Sequence, residues 1–73
     1  MSYRPIVWFR VIADLEQRGL TLRSQADAVG VSVGAVYYWK QGGEPKHAHG
    51  ERLLALYMDT LRIQPPRATL AST

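Results

Sequence analysis

The chain has 73 residues, no cysteine, nine Lys/Arg against six Asp/Glu and a net charge of +3. That excludes disulfides and thiolate metal sites, and it bounds the chain to one domain with a marginal core, since a chain this short buries only about 60% of its unfolded surface. A hydrophobic fraction of 47% excludes a wholly disordered chain, and no apolar run reaches the ~18–20 residues that cross a bilayer.

The first residues, MSYRPIVWFRVIADLE, carry acids early and lack a small-residue cleavage site. They do not read as a signal peptide, so a soluble cytoplasmic protein is expected. The pI of 9.7 suits a polyanionic partner, although the excess of positive charge is small.

Met1 to Arg4 is read as a short arm, and Pro5 suits a first helical position because its missing N–H is not needed there. Trp8, Ile12 and Leu15 fall on one helical face with Val11 beside them. The first helix is therefore expected from about Pro5 to Arg18, closed by Gly19. Thr21 is an N-cap for a second, short helix whose narrow apolar face is Leu22, Ala26 and Val29. Gly30 ends it, Val31 sits in the turn and Ser32 caps the next helix.

The third helix spans about Ser32 to Gln41. At 100° per residue, Ser32, Ala35, Val36 and Trp39 share an inward arc with Val36 and Trp39 as its large members. Val33, Gly34, Tyr37, Tyr38 and Gln41 lie opposite. No acidic residue occurs between Asp27 and Glu44, so this outer arc suits the approach of a polyanion.

Gly42-Gly43 ends that helix, Glu44-Pro45 makes a turn, and Lys46 to Gly50 reads as a basic loop or an irregular first turn. A last helix is expected from about Glu51 to Arg62. It has more apolar residues than one face needs: Leu53, Tyr57 and Leu61 suit the core, which leaves Leu54 and Met58 to meet a second subunit. The run from Gln64 to Thr73 has two prolines and no periodicity and reads as a disordered tail. The fold class is thus all-α with four to five short helices, as a domain over 1–63 followed by a tail over 64–73.

Residues 21–43 form a helix-turn-helix candidate, with a glycine for the tight turn, Ala26 for close approach and Val31 plugging the corner. The pattern resembles the lambda-repressor-like (Cro/repressor) DNA-binding family. The residues carrying the resemblance are Leu20-Thr21, Ala26, the turn Val29-Gly30-Val31-Ser32, Val36, Trp39 and Gly42, with Leu53-Leu54-Ala55-Leu56 similar to the next core helix. It covers about residues 6 to 62 and is similar to small phage- and mobile-element-borne members, Cro-like repressors and antitoxin-type regulators among them. The chain departs from the family at Leu22, where a glutamine is common, and at Gln25, where a core leucine is usual.

The resemblance implies a sequence-specific transcriptional regulator, a repressor that binds double-stranded DNA as a homodimer with the third helix in the major groove. Carried over by position, Val33, Gly34, Tyr37 and Tyr38 face base edges. Thr21, Arg23 and Ser24 hold phosphates on one side, and Lys40, Gln41, Lys46 and His47 hold them on the other. A second expectation is an antitoxin-like module that binds a protein partner through the last helix or the tail. His47-Ala48-His49 has no third ligand nearby and makes a poor metal site, and no histidine has a carboxylate at triad spacing. Neither an enzyme nor a cofactor is expected.

Overall fold

Two of the four described helices begin at a hydroxyl residue that caps them. The computed structural model describes residues 5–67. Among them run four helices: α1 (Trp8–Gln17), α2 (Leu22–Val29), α3 (Val33–Lys40) and α4 (His47–Leu61). They contain no strand beyond an isolated antiparallel bridge between Ile6 and Arg67. No described helix is long and apolar enough to cross a membrane.

Thr21 and Ser32 cap α2 and α3 through their hydroxyl oxygens, which accept from the N–H groups of Ser24 and Ala35. Gly30 closes α2 in the left-handed region at φ 87°, a conformation that only glycine adopts without strain. The turn to α3 is then two residues long. A single cluster fills the interior: Val11, Ile12 and Leu15 from α1, Ala26 and Val29 from α2, Val36 and Trp39 from α3, Leu53 and Tyr57 from α4. The periodicity of each helix places these residues inward.

The helix boundaries differ from the sequence-based expectation at three places. α1 starts at Trp8 and not at Pro5. The Val7 N–H donates to the Pro66 carbonyl at 2.9 Å and Ile6 pairs with Arg67, so residues 6 and 7 are extended. α4 starts at His47, four residues earlier than expected, so 47–50 is regular helix rather than a loop or an irregular turn. Lys46 takes an extended N-cap conformation after Pro45, and the Gly50 N–H closes the first turn onto the Lys46 carbonyl. Gly50 fits there because Trp8 lies against it: a Cβ would come within 3.2 Å of the indole.

The third difference concerns the segment after α4. Arg62 turns the chain in the left-handed region at φ 61°, Pro65 is buried, and residues 66 and 67 meet residues 7 and 6. Residues 64–67 therefore pack back on the domain and are not a free tail; the remainder of the expected tail, 68–73, lies outside the described residues.

Two polar contacts tie the core together. Gln25 is fully buried, and its Nε2 donates to the carbonyls of Ile12 at 3.2 Å and Leu20 at 3.0 Å. Its Oε1 has no hydrogen-bond partner among the described residues. The buried Tyr57 hydroxyl donates to an Asp14 carboxylate oxygen at 2.8 Å. Burial first, then the Asp14 hydrogen bond and charge, push the Tyr57 pKa from 10.0 up to about 12.

A raised pKa on a phenol means that the folded state holds the proton more tightly than the unfolded one. Its contribution is complete below about pH 10 and disappears as pH rises toward about 12, amounting to about 2–3 kcal/mol. Urea titrations should show Tyr57→Phe less stable by about 1–3 kcal/mol at neutral pH and with a shallower fall in stability between about pH 10 and 12. An unchanged alkaline slope would remove Tyr57 as its source.

Candidate functional site

α3 is amphipathic in an unusual sense, because both of its faces carry aromatic residues. Val36 and Trp39 are buried, whereas Val33, Tyr37 and Tyr38 are 41%, 55% and 62% exposed. Gly34 is exposed beside them, and Gln41 is exposed at the C-cap with its N–H directed to the Tyr37 and Tyr38 carbonyls. The structure thus brings five of the expected site residues together along one short helix. That face is free of carboxylates, and the free N–H groups of the helix start lie at its N-terminal end.

Thr21, Arg23 and Ser24 form a second exposed group at the start of α2. The two hydroxyls are partly engaged with each other: Thr21 Oγ1 accepts from the Ser24 N–H at 3.1 Å and lies 3.0 Å from Ser24 Oγ. Arg23 stands exposed between them. Lys46 and His47 begin α4, both exposed, with His47 Nε2 at 3.7 Å from a Glu51 carboxylate oxygen.

Lys40 does not join these groups. Its ammonium donates to Glu16 at 2.6 Å, across to α1, and both side chains are about two-thirds covered. Like other partly exposed pairs it is worth at most about 1 kcal/mol, yet it turns the only cation of α3 toward its own fold. Of the two residues expected at a dimer face, Met58 is 39% exposed, whereas Leu54 is half-buried and packs on the core. Leu54 also lines a cleft of about 190 Å³ with Ile6, Trp8, Pro45 and Gly50 as its other apolar walls.

Three placements escaped the sequence. Lys40 pairs with a residue 24 positions away, for which no local pattern exists. His49 packs near Trp39, with ring centroids 6.1 Å apart, because its segment is helical. Gly43 is the most informative. Of the Gly42-Gly43 pair, Gly42 alone has a positive φ, at 119°. A Cβ on Gly43 would overlap the Tyr38 ring, which lies directly against its backbone. A second glycine that the turn does not require was the available signal.

Comparison of the chain with family models, with curated proteins and with solved structures finds no match in any of the three.

The seat of Tyr38 on Gly43 is measurable without any ligand. The Gly43 Hα protons should resonate upfield through the ring current, and Tyr38→Ala should return them to ordinary positions. Ordinary shifts in the unmodified protein would mean that the ring is not held there.

Proposed function

We propose that the protein is a small DNA-binding transcriptional regulator with a lambda-repressor-like helix-turn-helix made by α2 and α3. In this reading α3 enters a major groove about 12 Å wide, Val33, Gly34, Tyr37 and Tyr38 face base edges, and Arg23 with the start of α2 meets phosphates. Gln41, Lys46 and His47 supply the flanking backbone contacts, and Lys40 is withdrawn from that set by Glu16. The protein occupies an inverted-repeat operator as a homodimer, with half-site centres about 34–36 Å apart. Repression follows from occupying a promoter and calls for no cofactor or catalytic step.

The observation that carries this reading is Gly34. Its φ is not positive, and a Cβ would meet nothing nearer than Ser32 Oγ at 3.9 Å. The fold therefore gives no reason for glycine in the first turn of an eight-residue helix, where it costs up to about 0.5–1 kcal/mol relative to alanine. Close approach of an external surface to the backbone supplies a reason. The exposed, carboxylate-free residues around it make a polyanion the fitting surface.

Gly34→Ala is the decisive variant because its two effects have opposite signs. It should raise the unfolding free energy by about 0.5–1 kcal/mol and weaken binding to a duplex selected from a random pool by tenfold or more. A stability gain with unchanged binding would remove α3 as the DNA face. In salt titrations, Arg23→Ala should lower the slope of log K against log salt by about one, while Lys40→Ala leaves it unchanged. An equal loss from both would return Lys40 to the phosphate contacts.

A second reading, a protein-interaction module of antitoxin type on the same scaffold, draws on large apolar side chains exposed away from α3. Phe9 and Ile63 are more than half exposed, and Met58 lies on α4. One stoichiometric protein partner together with weak, salt-insensitive duplex binding would favour it over the first.

A further inference from the structure

We infer that the leading turn of α3 selects thymine methyl groups, so that the base pairs facing Val33 and Gly34 are A·T pairs. The inference rests on the DNA-binding reading above and specifies which bases that surface takes.

Each base edge in the major groove demands a particular side-chain chemistry. Guanine O6 and N7 are acceptors that call for the forked donors of Arg or the ammonium of Lys. The only cation on α3 is Lys40, and its ammonium is held by Glu16 at 2.6 Å. The cytosine amino group calls for a carboxylate, and α3 has none. Adenine calls for Asn or Gln, and the one amide available is Gln41, at the C-terminal end of the helix rather than its leading turn. Thymine is the exception, since its C5-methyl requires apolar contact and no hydrogen bond.

The leading turn supplies that contact. Val33 is the first helical residue and stands 41% exposed with its branched apolar side chain outward. Gly34 follows it with open space where a side chain would stand, so a base pair reaches the backbone beside Val33 unobstructed. The rings of Tyr37 and Tyr38 continue the apolar surface, with the Tyr38 ring lying against Gly43, and their hydroxyls serve neighbouring bases or phosphates outside the leading turn. Any base pair brought against this surface loses some of its bonds to water, and thymine alone adds a methyl group that Val33 can cover, so the discrimination comes from that apolar contact.

The test uses the full chain. Duplexes are selected from a random pool, the enriched site is measured by fluorescence anisotropy, and single thymines are then replaced by deoxyuridine, which removes the methyl alone. The expected result is a half-site containing A·T pairs in which one or two replacements weaken binding about three- to tenfold. Val33→Ala, at an exposed position that leaves the core untouched, should reduce that penalty. An enriched site whose sensitive positions are G·C, or one indifferent to deoxyuridine throughout, overturns the inference and leaves the DNA-binding reading standing. Failure to enrich any sequence overturns both.

Discussion

An eight-residue helix has almost no stability of its own in water, where isolated helices shorter than about 12–15 residues are marginal. α3 exists because its inner face is held from three directions. Val36 and Trp39 lie in the common core with α1 and α2, the Ser32 hydroxyl closes its first turn, and Lys40 reaches Glu16 on α1. The His49 ring approaches Trp39 from α4. Everything presented outward along Val33, Gly34, Tyr37 and Tyr38 depends on this anchoring, since the outer residues contribute little to the core. A helix held so completely by one face leaves the other unconstrained by the core.

Gln25 performs a related task for the helix pair itself. A leucine at this place would supply burial and nothing more. The amide also ties the Ile12 carbonyl on α1 to the Leu20 carbonyl in the turn before α2, which fixes the angle at which α2 leaves α1. Leaving Oε1 without a partner costs about 1–3 kcal/mol, against two bonds worth about 1 kcal/mol each. The exchange is close to neutral in stability, so its effect is on geometry: both bonds together constrain how the two helices meet.

Much of the architecture was legible because it rests on local rules. Thr21, Gly30 and Ser32 are boundary residues with a stereochemical reason at each site, and the buried faces of α1, α2 and α3 follow helical periodicity. The differences arose where distant residues decide. Pro5 suits a helix start, but pairing of residues 6 and 7 with 67 and 66 prevails over that preference. KHAHG reads as a loop or an irregular first turn, yet residues 47–50 are regular helix, and Gly50 lies where Trp8 leaves little room for a side chain. At the site, exposure of the α3 residues was legible from the angular arc, whereas the capture of Lys40 by Glu16 and the seat of Tyr38 on Gly43 were not. Both are contacts between side chains whose separation carries no periodic signature.

The pairing of Ile6 with Arg67 has a consequence for the order in which the molecule assembles. It closes a loop of roughly sixty residues, so its entropic cost is met only after the intervening chain is compact. The packing of α2 on α3 spans a two-residue turn and meets almost no such cost. The α2–α3 pair is thus the most local part of the structure in sequence, and the buried Pro65 segment is the most remote. Two contacts, the Val7 N–H to the Pro66 carbonyl and the Ile6–Arg67 bridge, join the ends of the described chain, whereas α3 is anchored in the common core. Local opening is therefore expected to begin at the paired ends.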